Sequence, residues 1–198
     1  MSSLIAMALF AFVTSISPGP VNIVATSSGA NFGFNKTLYH ITGATIGFTS
    51  ILSLLGVGAI EVFHENPEIM NYLSYIEAAF LLYMSYKIAF APINKVNEEN
   101  QATPPTILEG LLCQWLNPKA WIVAVSGVTV FSSNGENNTS SILLFSLVFF
   151  VVCFLSISVW AVMGVTIKKL LSHPEHYKLF NLIMGCILAS TVIYLLIY

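Results

Sequence analysis

Two short proline motifs interrupt otherwise apolar stretches at positions one hundred residues apart: Ser17-Pro18-Gly19-Pro20 and Asn117-Pro118-Lys119-Ala120. A proline inside a helix removes an internal hydrogen bond and clashes with the carbonyl four residues back. Ser or Asn followed by Pro instead suits an N-cap and first helical position. Each motif therefore reads as a stop and a restart. The first amides of the restarted helices, around Gly19, Val21 and Asn22 in one case and Lys119 and Ala120 in the other, would carry the positive end of a helix dipole. The chemistry such ends suit is non-covalent, the holding of an anionic group such as a carboxylate. Prolines that only kink helices for packing would leave the same trace.

Other polar residues fall in the same apolar runs. Lys119, the one lysine away from the loops, would add a full positive charge beside the second motif, or reach up to lipid headgroups. Asn22 and Gln114 lie about a turn from a break, where an amide can satisfy freed backbone or contact a ligand. Glu77 is an acid inside the third apolar run, roughly a turn and a half from its acidic end, a costly placement that marks a candidate for binding an ammonium, carrying a proton or pairing with Lys119. Its bland alternative is a shallow position at the interface. Thr42, Thr45, Thr49 and Ser53 recur at helical spacing next to Gly43 and Gly47; Thr45 and Thr49 are candidates for lining a pathway, although close packing at the glycines explains the stripe equally well. His40, His64, His173 and His176 fall at the ends of apolar runs or between them, and no second cluster completes a metal site around His173-Pro174-Glu175-His176. No catalytic arrangement, metal site or phosphate-binding loop stands out, and no cofactor is implied.

The elements that would position these groups are set by composition. Only 8% of the 198 residues are Asp, Glu, Lys or Arg, against roughly 25% in soluble chains. With no Arg, no Asp and a net charge of -2, the chain lacks the basic footprint of a nucleic-acid partner. Cys113, Cys153 and Cys186 sit in apolar runs, odd in number, and read as small packing residues rather than a disulfide framework. The N-terminus lacks the charged region of a signal peptide, so the first apolar segment is expected to remain as a helix.

A bilayer core of about 30 Å takes roughly 20 apolar residues per helix. Six such runs are present: Leu4 to Ala30, Leu38 to Phe63, Ile69 to Phe90, Ile107 to Phe131, Ile142 to Ile167 and Leu179 to Tyr198. Lys36, Lys87, Lys95, Lys168, Lys169 and Lys178 all flank one set of loops, while Glu61, Glu65, Glu68 and Glu136 occupy the other set. Because cytoplasmic loops hold the excess of lysine, both termini are expected outside the cytoplasm. The polar stretch 91–106 reads as a cytoplasmic linker. It divides one transmembrane domain, residues 1–198, into repeats 1–90 and 107–198 of three helices each. Three being odd, repeated halves must be inverted relative to one another. The expected fold is an all-α membrane protein of six transmembrane helices in two inverted three-helix repeats, the first and fourth helices broken at the proline motifs.

The Pro-Gly-Pro of the first run, the Asn-Pro-Lys of the fourth, Ala78-Ala79-Phe80-Leu81-Leu82-Tyr83 in the third and six runs in this length together resemble the LysE/RhtB family of amino-acid exporters. The resemblance extends over the whole chain and is closest to the homoserine/threonine and cysteine/O-acetylserine types. It implies export of an amino acid or close derivative across a bacterial inner membrane, with the proton gradient as the expected drive; a homo-oligomer is compatible with it. Glu77 is a departure, standing where the family often has glycine. Two rivals of similar architecture stay open. A thiol or electron carrier needs thiols that can meet, yet the first run has no cysteine; a metal-ion exporter needs clustered ligands, and only Glu77 and scattered cysteines are available.

Overall fold

A computed structural model describes residues 2–56, 68–91, 103–131, 138–171 and 173–197. Among these residues the chain is all-helical: α1 Ser2–Ile16, α2 Pro20–Phe32, α3 Phe34–Leu54, α4 Glu68–Ala89, α5 Ile107–Trp115, α6 Pro118–Phe131, α7 Asn138–Leu170 and α8 Pro174–Ile197. Pro20, Pro118 and Pro174 each occupy a first helical position, where a missing N–H costs nothing. Between α2 and α3 stands a single residue, Gly33, at φ 82°. That left-handed conformation is open to glycine and lets the chain reverse without a loop. Helix α5 starts on a capping box, with Glu109 N donating to Thr106 Oγ1 at 3.1 Å and Thr106 N donating to Glu109 Oε2 at 2.8 Å.

Several boundaries differ from the sequence-based reading. Helix α7 begins four residues earlier than expected because Asn138, Thr139, Ser140 and Ser141 continue the helix as a polar first turn, and α8 begins five residues earlier, at Pro174. The expected second run ends at Phe63 and the linker spans 91–106; residues 57–63 and 92–102, with His64, lie outside the described residues. His40 is not at a helix edge. It is fully buried in α3, its Nε2 3.1 Å from Val21 O.

Apolar and polar positions are arranged inside out. Leu4, Ile5, Leu9, Phe12 and Val13 on α1, Leu143, Leu147, Leu155 and Val159 on α7, and Leu179, Leu182 and Ile183 on α8 are exposed, whereas Asn22, Thr26, Ser27, Ser28, Asn31, Thr37, Gln114 and Asn181 are buried. So extensive an apolar exterior is what lipid accepts and water does not. By length and composition, and among the described residues, Ser140–Leu170 can cross a bilayer alone, and Ser3–Ile16 with Pro20–Phe32 can do so as one span bent by 64°.

Helix α3 packs on α7 and α4 on α8. Helices α1 and α2 lie mainly against α7, whereas α5 and, to a smaller extent, α6 lie against α3. The bundle centre is closed by stacked Phe48 and Phe149, ring centroids 4.0 Å apart.

Its two ends are built differently. Where α2 passes into α3, a Cβ added to Gly164 would lie 2.0 Å from Thr26 O, and one on Gly29 2.2 Å from Ala161 O. The same holds between α3 and α5, at 2.0 Å for Gly43 against Ile107 O and 2.4 Å for Gly110 against His40 O. These helices meet backbone to backbone, a closeness only glycine allows. Ties across this end include reciprocal amide bonds between Asn31 and Asn181, at 2.9 and 3.1 Å. Lys87 and Glu109 form an ion pair at 2.6 Å. The Tyr177 hydroxyl donates to Ala30 O. At the opposite end Phe10, Phe131 and Phe145 cluster with centroids 4.8 to 6.0 Å apart, and Gly127 faces the tip of the Phe145 ring.

Candidate functional site

Helix α1 stops at Ile16 and α2 starts at Pro20, leaving carbonyls that no intrahelical amide can reach. Those of Ser15, Ile16, Ser17 and Pro18 find donors outside the helix ladder. Asn22 Nδ2 donates to Ser15 O at 2.9 Å and Ser17 O at 2.8 Å. Trp160 Nε1, from α7, donates to Ile16 O at 3.0 Å. Lys119 Nζ donates to Ser17 Oγ at 2.6 Å, with longer contacts to Pro18 O at 3.3 Å and Ser17 O at 3.4 Å. The lysine of the second motif therefore ends on the first.

The second interruption, Leu116 and Asn117, is satisfied within its own stretch of chain. Asn117 Oδ1 accepts from Lys119 N at 3.1 Å and Asn117 O from Ala120 N at 2.9 Å. Trp121 Nε1 donates to Trp115 O at 2.7 Å, and Trp115 Nε1 to Ser50 Oγ at 2.9 Å. The amides of Lys119 and Ala120, expected to be free for an anion, are thus both taken by Asn117. Positive charge at this point comes from the Lys119 ammonium instead.

Between the interruptions lies a cleft whose empty volume, counting the part open to solvent, is about 410 Å³. Gly19, Asn22, Gln114, Asn117 and Lys119 supply its polar lining, with Thr14 and Ser15 from the end of α1. Phe48, Val123, Phe149, Cys153 and Ile157 form an apolar wall. No carboxylate pairs with Lys119 among the described residues, where the one ion pair is Lys87 with Glu109. Asn22 Oδ1 and Ser15 Oγ are buried without a donor. Leaving such an acceptor unmet costs about 1–3 kcal/mol, a deficit that a ligand with N–H groups would remove. A half-buried cation, unmet acceptors and an apolar wall in one concave space are the makings of a small-molecule site.

Residues 12–198 match the model of the LysE type translocator family. The chain belongs to that family. Among relatives of known naming, this translocator is 27% identical over 122 residues to the cysteine/O-acetylserine efflux protein of Salmonella choleraesuis strain SC-B67, covering 62% of each chain. It is 26% identical over 122 residues, again 62% of each chain, to the protein of the same name in Escherichia coli strain K12. The aligned part thus spans 62% of the length of these curated relatives. No solved structure matches the translocator.

Of the residues singled out in the sequence, Gly19, Asn22, Gln114, Asn117 and Lys119 meet in the cleft, and Ser17 and Pro18 join them through Lys119. Pro20 and Pro118 start the helices that carry the site. Thr45 and Thr49 donate along their own helix, to Ile41 O at 2.8 Å and Thr45 O at 2.9 Å, and the Thr45 hydroxyl also meets Cys153 of the cleft wall. Glu77 is 3% exposed and apart from the cleft lining; among the described residues it pairs with no cation and its Oε2 has no donor. Ser15, Thr14 and Trp160 escaped the sequence reading, since a serine or tryptophan in an apolar run carries no positional signal, and Cys153 read there as a packing residue. Glu109 was legible as the last residue of Thr106-Ile107-Leu108-Glu109, a capping-box pattern.

Proposed function

We propose that this translocator is a secondary exporter of amino acids or close derivatives in the bacterial inner membrane, built of six spans as two inverted three-helix repeats. In this reading α1 with α2, and α5 with α6, are broken first spans, and the cleft between the breaks is the substrate site. The observation that carries it is the reach of Lys119 Nζ to Ser17 Oγ, 2.6 Å across 102 positions of sequence. That contact joins the two breaks into one half-buried cationic place in an apolar bundle. A substrate carboxylate would take the Ser17 place on the ammonium.

Inversion is supported by the pattern of packing. Each half lays its broken helix on the second long helix of the other half, α1 and α2 on α7 and α5 and α6 on α3, while α3 with α7 and α4 with α8 pair across the middle. A two-fold axis in the membrane plane produces that exchange. With the lysine-bearing loops facing the cytoplasm and both termini outside it, the glycine-built end is cytoplasmic. The cleft, lined by the end of α1 and the start of α6, then lies on the outer side of the breaks, as in a carrier about to release its cargo.

The substrate class follows from the names of the relatives, cysteine and O-acetylserine, and from the chemistry of the lining. Drive by the proton gradient is part of the proposal, with Glu77 as the carrier of the coupling proton because it is a buried acid with no cation paired to it among the described residues. Efflux from cells loaded with cysteine or O-acetylserine tests the whole. Lys119→Gln should lower it by about ten- to a hundredfold, the worth of a charge-assisted hydrogen bond of roughly 1.5–3 kcal/mol. Glu77→Gln should make efflux indifferent to external pH. Full efflux by Lys119→Gln would refute the assignment of the site.

A further inference from the structure

Asn22 is 4% exposed in the first turn of α2. Its Nδ2 is committed twice, to Ser15 O at 2.9 Å and Ser17 O at 2.8 Å. Turning the amide over would set its oxygen against both carbonyls, so these bonds fix which atom is left, and Oδ1 has no donor. Ser15 Oγ, just before the break, is buried and meets only the Cys153 thiol, a weak partner, so among the described residues nothing donates to it. Both residues line the cleft that holds Lys119.

Two uncharged acceptors beside one cation complement a particular ligand, one that carries N–H donors and a carboxylate close together. We infer that Asn22 Oδ1 and Ser15 Oγ form the subsite for a substrate α-ammonium, with its carboxylate on Lys119 and its side chain against Phe48, Val123, Phe149 and Cys153. This rests on the amino-acid reading of the cleft and narrows it to α-amino acids with small, uncharged side chains. The apolar wall offers nothing to a second charge, so lysine and arginine are excluded. An amine without a carboxylate leaves Lys119 unmet, and a carboxylic acid without an amine leaves the two acceptors unmet. Hydrogen-bonding sites reject ligands that lack the matching group more sharply than apolar pockets reject a change in size.

The test is competition against labelled L-cysteine in proteoliposomes of the full chain under reducing conditions, with 3-mercaptopropionate lacking the amine and cysteamine lacking the carboxylate. Wild type should prefer cysteine to either by about tenfold or more, the factor for 1.4 kcal/mol. Ser15→Ala removes a hydroxyl whose one neighbour is the weakly bonding Cys153 thiol, a small loss to the fold. It should shrink the preference over 3-mercaptopropionate several-fold and leave the preference over cysteamine as it was. Asn22→Leu, if it folds, should shrink it further. An unchanged preference in Ser15→Ala overturns the subsite while leaving the amino-acid reading intact. Sodium ions that compete with cysteine in wild type but not in Ser15→Ala would overturn it in favour of a metal cation on the same acceptors. If neither cysteine nor O-acetylserine competes in wild type, the underlying reading fails and the subsite with it.

Discussion

The two ends of this bundle are closed by different means. At one, Gly29, Gly43, Gly110 and Gly164 bring backbone against backbone, and every residue of α2 from Val21 to Asn31 is buried. At the other, the contacts are aromatic rings, with Phe10, Phe131 and Phe145 between α1, α6 and α7. A ring can change rotamer while its helix stays in place; a backbone contact loosens only if a whole helix moves. The aromatic end is therefore the easier to open from this form. In an alternating carrier the glycine end must open in turn, with the rigid shift of α2 and α5 that its construction demands.

Substitutions that attack the two ends unequally would break this comparison. Gly164→Leu should act most strongly, because the new side chain meets Thr26 O and Ala30 N rather than anything that can rotate away. We expect a loss above about 3 kcal/mol, beyond ordinary overpacking, read as failure to recover monodisperse protein in detergent. Asn181→Leu should cost about 1–3 kcal/mol in a thermal melt, since it strips Asn31 of its reciprocal partner. Replacing both Asn31 and Asn181 by Leu should recover part of that, because no unmet amide remains. Lys87→Met should cost no more than about 1 kcal/mol, as the Lys87 side chain is 23% exposed and Thr106 still donates to Glu109. At the aromatic end, Gly127→Ala meets ring edges alone, Phe145 at 2.6 Å and Phe10 at 3.3 Å from the added carbon, and should cost less than about 1 kcal/mol. A Gly127→Ala penalty equal to that of Gly164→Leu would end the distinction between the ends.

The two interruptions, too, are unlike in a way the sequence hid. Their prolines and depth were readable from Ser17-Pro18-Gly19-Pro20 and Asn117-Pro118-Lys119-Ala120, and helix types and rough bounds followed from apolar runs. What could not be read is which groups satisfy each break. The second is met by short-range bonds, from Asn117 within its own turn and from Trp121 to Trp115 O. The first break needs Trp160 and Lys119 from the other half of the chain, a dependence no local pattern encodes. For the same reason His40 looked like an edge residue, its partner Val21 O being supplied by packing. Nor could spacing tell what the Thr45 and Thr49 hydroxyls meet, since it gives a face but not its neighbours.

The most direct measurement of a single site between the breaks is ligand protection of a thiol. Val123→Cys, in a chain with Cys113, Cys153 and Cys186 replaced by Ala, puts one cysteine on the cleft wall; Ile122→Cys puts one on the outward face, where Ile122 is 63% exposed. O-acetylserine should slow maleimide labelling of Val123→Cys several-fold and leave Ile122→Cys unaffected, and Lys119→Gln should abolish that protection. Equal labelling of Val123→Cys with and without the amino acid, in protein that still exports it, would place the substrate elsewhere and contradict the account.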